Sequence, residues 1–282
     1  MTRPGAHTKL YCIFGSPVRH SLSPRMHNAA FQFLGIDAVY LAFEPASAKD
    51  ALAAMRALPI HGASVTIPFK TSILPLLDEV DGLARKTGSV NTLVFGDGRI
   101  SGHTTDGIGA LRALTHNGIP CEGRRVLVLG NGGSARSISF ALLEGGARVV
   151  IAGRSDSRVR ALSADLALHY GGVEQRLLAQ IDTHFMQGID LVINTTPVGM
   201  YPDDGAVPMD TSLLSSRHAV MDIVYSPPHT RFLREAALAG CTTIGGIDML
   251  LFQGARQFEL WTGLEAPEQI MRNVLNEAVA GK

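Results

Sequence analysis

The chain has 282 residues, of which 46% are hydrophobic and 18% are charged, a composition typical of a compact soluble protein with a substantial core. Its 25 basic and 25 acidic residues give a formal net charge of zero without a basic tail, which argues against a nucleic acid partner. No apolar stretch approaches membrane-spanning length and no apolar signal segment is evident, so we expect a cytoplasmic protein that does not associate with membranes.

The three cysteines, Cys12, Cys121 and Cys241, are far apart in the chain and form no Cys-x-x-Cys pair. This spacing argues against a disulfide framework or a zinc cluster and is consistent with a reducing compartment. The histidines also lack the spacing of metal ligands, so the sequence predicts no metal site. A monomer and a homodimer both remain open.

Short apolar strands alternate with amphipathic helices along the chain, which is typical of the α/β class. In the first part, Pro24 begins a predicted helix that ends at Leu34 and Gly35, and Pro68 ends a strand. The apolar pattern predicts strands at 10–15, 38–44 and 63–67, helices at 48–58 and up to about 86, and a β-hairpin at 90–105. We therefore expect a mostly parallel sheet with one antiparallel hairpin.

The pattern changes after residue 106, where a helix over about 108–117 leads into a second series of strands and helices. The last 35 residues are helical again, and Pro267 starts the final helix. We place domain junctions near 106–107 and 246–248, but periodicity does not show on which domain the C-terminal helices pack. The strands predicted in this part are 125–130, 148–153, 190–196, 219–225 and 241–246.

The segment HSLSPRMHN contains two serines immediately before the helix that Pro24 begins. Ser23 is a natural N-cap for that helix. In an extended segment Ser21 would point the same way as Ser23, and the two hydroxyls would lie side by side next to a helix N-terminus. Such a place suits a small anion, for example a carboxylate. The alternative is a capped helix with a solvated loop serine.

The strongest local motif is VLVLGNGGSARS, in which a buried strand runs into a glycine turn and a helix. In the GxGxxA pattern of dinucleotide-binding folds, Gly130 permits the turn, Gly132 lets the backbone approach a pyrophosphate, and Ala135 lets the helix pack on the strand. The helix N-terminus adds donors and a partial positive charge. The residues expected to contact the cofactor are Gly130, Asn131, Gly132, Gly133, Ser134 and Ala135.

The end of the next strand indicates which dinucleotide binds. An acidic residue there would hold the ribose 2′-hydroxyl of NAD, whereas this chain has Arg154 first and Arg158 four residues later. If a helix starts near Ser155, both guanidinium groups could flank a 2′-phosphate. Asp156 disagrees with this interpretation, since it could cap the helix or approach a ribose. The pattern favours NADP over NAD.

Polar residues follow the strands of the first domain. Thr66 and Lys70 lie on either side of Pro68, Asn91 lies in the hairpin, and Asp106 precedes a glycine and a new helix. Ligands of open α/β sheets bind outside the C-terminal ends of strands. At such a place a lysine can donate or accept a proton, and a nearby carboxylate can hold the lysine side chain in position. The alternative is that Lys70 is a surface charge and Asp106 a helix N-cap, because the sequence does not show whether they touch.

A resemblance to a known family runs through the chain in nine segments. They are GSPVRHSLSPRMHN, SVTIPFK, GSVNT, TTDGIG, GNGGSAR, GRS, INTTPVGM, DIVYSPPHTRFL and GGIDMLLFQGARQFELWTG. In these segments the chain resembles the shikimate dehydrogenase family. The resemblance implies NADPH-dependent reduction of 3-dehydroshikimate to shikimate, in the pathway to chorismate and the aromatic amino acids.

The resemblance also implies an α/β protein of two domains. Residues 1–106 and 248–282 would form a mostly parallel, substrate-binding and catalytic domain, to which the C-terminal helices return. Residues 107–247 would form a Rossmann-like NADP-binding domain. Carried over by position, the catalytic residues are Lys70 and Asp106. The substrate-binding residues are Ser21, Ser23, Thr66, Asn91, Tyr225 and Gln253. Besides the glycine turn, the cofactor-binding residues are Arg154, Ser155, Arg158, Thr195 and Met249.

The chain departs from the family pattern beside some of these residues. Ser64 and Thr104 stand where the family often has Asn, and Ser155 where it commonly has Thr. Each change leaves a small polar group, so it bears on substrate preference more than on the reaction class. Two alternatives stay open. One is a quinate or dual quinate/shikimate dehydrogenase that uses NAD(P), and the other is a non-catalytic NADP-binding sensor on the same fold. Retention of Lys70 and Asp106 argues against the sensor.

Overall fold

The computed structural model describes residues 4–58 and 60–280, and the chain divides into two compact α/β units. The first unit is Met1–Asp106 with Leu251–Lys282, and the second is Gly107–Leu250. The predicted fold class is confirmed. The second division falls inside a continuous helix, Gly246–Thr262.

The first unit is built on a six-stranded sheet. Its strands are β1 (Lys9–Phe14), β2 (Ala38–Phe43), β3 (Gly62–Val65), β4 (Glu79–Val80), β5 (Thr92–Gly96) and β6 (Arg99–His103). They lie in the order β2-β1-β3-β5-β6-β4, in which β5 is antiparallel to both β3 and β6. The predicted hairpin is therefore present, with Asp97 and Gly98 at positive φ in its turn. Because two antiparallel steps separate them, β3 and β6 run in the same direction.

Helices cover both faces of this sheet. They are α1 (Ser23–Phe33), α2 (Ala48–Ala57), α3 (Gly82–Thr87), α9 (Gly246–Thr262) and α10 (Glu268–Ala280), with a 3₁₀ turn at Leu74–Leu76. Helix α10 packs on α1 and buries Met271, Leu275 and Ala278, so the C-terminal helices return to the first unit as predicted. Helix α9 also approaches α1 closely, because a Cβ added at Gly254 would lie 2.2 Å from Met26 Cε.

The second unit is a doubly wound, fully parallel sheet. Its strands are β7 (Arg125–Leu129), β8 (Arg148–Gly153), β9 (Glu174–Leu177), β10 (Leu191–Asn194), β11 (Ala219–Asp222) and β12 (Thr242–Ile244). The order β12-β11-β10-β7-β8-β9 reverses direction between β7 and β10, which is the Rossmann arrangement and makes that point the switch point. Sequence reasoning missed β9, because this edge strand, EQRL, carries polar residues and lacks an apolar run.

Helices of the second unit flank its sheet. They are α4 (Asp106–His116), α5 (Gly133–Glu144), α6 (Asp156–Tyr170), α7 (Thr183–Met186) and α8 (Arg231–Leu238), with 3₁₀ turns at Leu178–Gln180 and Thr211–Leu213. The core contains fully buried side chains from the central strands and from α8, such as Leu127, Val192 and Phe232. Across the described ranges, no helix is long and apolar enough to cross a bilayer.

Candidate functional site

A buried ion pair lies at one edge of the first sheet. Lys70 Nζ and Asp106 Oδ2 are 2.5 Å apart, and the two side chains are only 15% and 4% exposed. Lys70 follows β3, and Asp106 follows β6. Because these strands run in the same direction, their carboxyl ends lie at the same edge of the sheet, and the fold brings together two residues that are distant in sequence.

Asn91 contacts the other oxygen of the same carboxylate. It lies immediately before β5, and the antiparallel direction of β5 places this residue at the same sheet edge. Its Nδ2 donates to Asp106 Oδ1 at 2.7 Å and also lies 2.9 Å from Thr105 Oγ1 and 3.3 Å from Gln253 Oε1. Each oxygen of Asp106 therefore has a donor, as a buried carboxylate requires.

The orientation of the Asn91 amide follows from its partners. Its Oδ1 accepts from the backbone N–H of Thr105 at 2.8 Å and from Thr92 Oγ1 at 2.8 Å. A backbone N–H can only donate, so the oxygen must face Thr105 and the nitrogen must face Asp106. Asn91 is 2% exposed, which leaves its amide little freedom to move.

Gln253 and Gln257 approach Asn91 from helix α9. They are four residues apart and therefore share one face of the helix. Gln257 Nε2 donates to the Asn91 carbonyl at 2.9 Å and to Thr92 Oγ1 at 3.0 Å. Sequence reasoning included Gln253 and missed Gln257. The helical spacing of the two glutamines was the signal that could have found it.

Ser21 lies in the loop after β1 and Ser23 is the first residue of α1, and the structure corrects two predictions about these serines. Ser23 is not the N-cap: α1 begins at Ser23, and Leu22 occupies the cap position. Leu22 has right-handed helical backbone angles (φ −87°, ψ −8°), so the segment is not extended and the argument that the two side chains point the same way fails. Ser21 Oγ instead accepts from the Ser23 N–H at 3.2 Å, and Ser23 is buried at 3% exposure.

The loop after β1 lies beside the loop that carries Thr66 and Lys70. Ser16 N–H donates to the Ile67 carbonyl at 2.9 Å, and a Cβ added at Gly15 would lie 2.3 Å from Thr66 Cγ2. Strands β1 and β3 are neighbours, and the sheet changes winding direction between them. That is where ligands of open α/β sheets bind.

The glycine turn of the second unit follows β7 at the switch point. Gly130 has φ +119°, a conformation that other residues rarely adopt, and an added Cβ there would lie 2.6 Å from Thr195 Oγ1. Thr195 follows β10 and donates to the Leu129 carbonyl at 2.6 Å, which ties the two loops together. Helix α5 begins at Gly133 with Gly132 as its N-cap, so no side chain caps its first turn. Space is open in front of Gly132, as an approaching phosphate group needs.

Arg154 and Arg158 follow β8 and are both exposed. Neither forms an ion pair with any residue that the structure describes. Asp156, which argued against NADP, pairs instead with Arg160, whose Nε lies 2.7 Å from Asp156 Oδ2. Ser155 is the N-cap residue of α6, and its Oγ lies 3.2 Å from Ser157 Oγ. The two unpaired guanidinium groups fit the 2′-phosphate of NADP.

Asp222 at the end of β11 is a buried carboxylate that sequence reasoning missed. It accepts from Asn194 Nδ2 at 2.9 Å, Val224 N–H at 3.0 Å and Thr230 Oγ1 at 2.7 Å. Burial raises the pKa of Asp222 to about 6, and the three donors offset part of that rise. It joins the last residue of β10 to the loop after β11, which carries Tyr225.

The remaining site residues of the second unit differ in exposure. Tyr225 is half-buried, and Met249 on α9 is 6% exposed. Within the described part of the chain, no group of three or more His, Cys, Asp or Glu side chains could hold a metal ion. The cysteines Cys12, Cys121 and Cys241 are buried and free.

Two family models match parts of this chain. Residues 13–93 match the family model of the shikimate dehydrogenase substrate binding domain, and residues 246–275 match that of the shikimate 5′-dehydrogenase C-terminal domain. A protein of Moorella thermoacetica named shikimate dehydrogenase (NADP(+)) is 43% identical, with 99% of this chain and 96% of that protein covered.

Two solved structures show how far the likeness extends. A shikimate dehydrogenase in complex with NADP⁺ matches with a TM-score of 0.92 and 37% identity over 98% of each chain. A quinate dehydrogenase from Corynebacterium glutamicum in complex with NAD matches with a TM-score of 0.87 and 31% identity over 96% of this chain and 99% of that one. On the sequence identity and the coverage of both chains, the protein belongs to the shikimate dehydrogenase family.

Proposed function

We propose that this protein catalyses the reversible, NADPH-dependent reduction of 3-dehydroshikimate to shikimate, a step toward chorismate and the aromatic amino acids. The observation that carries the proposal is the buried pair of Lys70 and Asp106, held by Asn91, in a chain of this family. A proton donor at a sheet edge, beside polar side chains that can bind a polyol, is what reduction of a ring ketone requires.

The first unit binds the substrate. Ser21 and Ser23, at the N-terminus of α1, bind its carboxylate. Asp106 also accepts from a ring hydroxyl, and Tyr225 is a further proposed substrate contact. The other ring contacts come from Thr66, Asn91 and Gln253. These contacts hold the ring in one orientation relative to the reacting groups. This raises the rate because the entropy needed to align them is lost on binding and not in the reaction step.

The second unit binds NADP. The phosphates lie at the uncapped N-terminus of α5 and the turn from Gly130 to Ala135, beside Thr195. Arg154, Ser155 and Arg158 hold the 2′-phosphate, and Met249 packs near the nicotinamide. When bound, NADPH supplies the hydride for the ring carbonyl.

Lys70 supplies the proton. In the reduction its ammonium group donates a proton to the carbonyl oxygen as negative charge develops there, and the product is an alcohol. Asp106 holds Lys70 in place through the 2.5 Å contact. In the reverse direction the neutral amine accepts the hydroxyl proton.

The direct test is NADP⁺ reduction with shikimate, measured by the absorbance of NADPH and run beside quinate and beside NAD⁺. Strong activity with shikimate and NADP⁺ supports the proposal. Activity mainly with quinate would instead support the alternative function, that of a quinate or dual quinate/shikimate dehydrogenase. Binding of NADP without turnover of either substrate would favour the sensor.

We also propose a cytoplasmic location, which the three free cysteines support because disulfides form in oxidising compartments. Fractionation of cells that express the protein from its own locus tests this location. Sedimentation at several protein concentrations distinguishes a monomer from a homodimer.

A further inference from the structure

A chain of buried hydrogen bonds runs from helix α9 to the proposed catalytic pair. We propose that Gln257 is a positioning residue that holds Asn91, and through it Asp106 and Lys70, in the orientation needed for proton transfer. The inference rests on the proposed function, since it assigns Gln257 a part in that reaction. Gln257 does not touch Lys70 or Asp106, and it acts through Asn91 and Thr92.

Gln257 is a fully engaged buried amide. It is 1% exposed, its Nε2 donates to the Asn91 carbonyl and to Thr92 Oγ1, and its Oε1 accepts from Ser64 Oγ at 2.8 Å. The side chain thus connects helix α9 with residues of β3 and β5. In a low-dielectric interior such a network resists rearrangement, because each lost partner leaves a polar group unsatisfied.

The donor and acceptor roles in this network fix the orientation of the Asn91 amide, and therefore its hydrogen bond to Asp106. The Asn91 carbonyl can only accept, so Gln257 must present its nitrogen there and its oxygen to Ser64. Thr92 Oγ1 accepts from Gln257 and therefore donates to Asn91 Oδ1. Asn91 Nδ2 then points at Asp106 Oδ1, which leaves Asp106 Oδ2 for Lys70. Gln257 thus holds both the backbone and the side chain of Asn91.

The far end of the network is anchored in the core. Ser64 Oγ accepts from the Tyr40 hydroxyl at 2.6 Å. Tyr40 is fully buried, its ring stacks on His27 at 4.6 Å, and its backbone N–H and carbonyl both bond the Asn28 amide. The network therefore joins the proposed catalytic pair to the buried core of the first unit.

The expected effect is partial rather than complete. Without Gln257, Asn91 keeps its other hydrogen bonds, among them those its carbonyl accepts from Val65 N–H at 2.8 Å and its Oδ1 accepts from Thr105 N–H at 2.8 Å. We expect Gln257→Met, which keeps the length and loses both polar ends, to lower kcat about tenfold while KM for shikimate changes less than about threefold. Gln269→Met is the matched control, since Gln269 is an exposed glutamine on α10 that bonds Asn273.

Gln257→Glu separates positioning from simple packing. The ionised carboxylate keeps the acceptor for Ser64 and lacks the donor for Asn91, whereas the protonated form regains a donor. The charged and titratable groups around position 257 are Lys70, Asp106, Tyr40 and His27, and in the parent burial lowers the pKa of His27 to about 3. We expect kcat of Gln257→Glu relative to the parent to rise as the pH falls, and the same ratio for Gln257→Met to stay flat.

Ser64→Ala and Tyr40→Phe extend the test along the network if either Gln257 variant folds poorly. Their losses in kcat should be smaller than that of Gln257→Met and should decrease with distance from Asn91. Folded variants with kcat within about twofold of the parent, and a flat pH ratio for Gln257→Glu, would overturn the proposal.

An activity-independent measurement separates this inference from the proposed function. If the parent protein does not turn over shikimate, the proposed function fails by itself. The Asn91 side-chain amide can then be followed by ¹⁵N–¹H NMR. A changed shift and faster solvent exchange in Gln257→Met support the positioning role, and an unchanged signal refutes it.

Discussion

The two units prepare their sites in opposite ways. In the first unit the groups proposed to be catalytic are buried and already bonded to one another: Lys70 to Asp106, and Asp106 to Asn91. In the second unit some of the groups proposed to bind the cofactor are left open, because they have no side-chain partner in the part of the chain that the structure describes. Helix α5 has no side-chain cap, and Arg154 and Arg158 are exposed and unpaired among the described residues. The comparison teaches that one site is organised by its own contacts and the other is to be completed by its ligand.

The largest expected effect comes from removing the proton donor of the organised site. Lys70→Ala should lower kcat about 1,000-fold, within the range for a general acid, while KM for shikimate changes little. Steady-state rates with shikimate and NADP⁺ measure this, and Lys86→Ala, at an exposed lysine on α3, serves as the control. A large rise in KM at unchanged kcat would show that Lys70 only binds substrate.

The buried carboxylate of the second unit should make stability depend on pH. The pKa of Asp222 is raised to about 6 from its ordinary value of 3.8, so its contribution is fully present below about pH 4 and is lost as the pH rises through about 6. The loss amounts to at most about 3 kcal/mol. His27, in the first unit, has the opposite sign, because its lowered pKa removes stability as the pH falls from about 6.5 toward 3.

Urea unfolding measured from about pH 4 to pH 7 isolates the contribution of Asp222 to the free energy of unfolding. The free energy of unfolding of the parent, relative to Asp222→Asn, should decrease across this range. His27 is common to both proteins and cancels in the difference. Asp203→Asn, at an exposed carboxylate, should show no such trend, and a flat difference for Asp222→Asn would contradict the prediction.

The open site should be sensitive to backbone strain. Gly130→Ala forces a side chain into φ +119° and against Thr195 Oγ1, which costs about 2 kcal/mol and corresponds to a rise of about 30-fold in KM for NADP⁺. Gly172→Ala is the control, because nothing lies within 4 Å of a Cβ there. Equal KM values for NADP⁺ in the two variants would show that the glycine turn does not contact the cofactor.

The arginines should give the smallest effect and sharpen the cofactor assignment. Arg158→Met and Arg154→Met should each raise KM for NADP⁺ about tenfold, since each removes a charge-assisted hydrogen bond to the 2′-phosphate, and should leave kinetics with NAD⁺ nearly unchanged. Arg160→Met is the comparison, because Arg160 pairs with Asp156. Equal losses with both cofactors would place these arginines away from the 2′-phosphate.

Sequence patterns predicted best where structure is local. The strand, glycine turn and helix around Gly130 follow from residue types within one segment, as do the hairpin and the helix stop at Leu34 and Gly35. The prediction that Ser23 is the N-cap was wrong, because the start of α1 depends on the backbone of Leu22, which residue type does not specify. Strand β9 was missed because its place at the sheet edge, and not an apolar pattern, makes it a strand.

The sequence by itself determined the α/β class, the dinucleotide-binding pattern, and the family to which the chain belongs. Only the tertiary structure decided that Lys70 meets Asp106, since that contact depends on β3 and β6 running in the same direction in one sheet. It also decided that Gln257 reaches Asn91, because the chain returns to the first unit in helix α9 after the residues of the second unit. Such contacts depend on strand order and chain return, which no local pattern encodes.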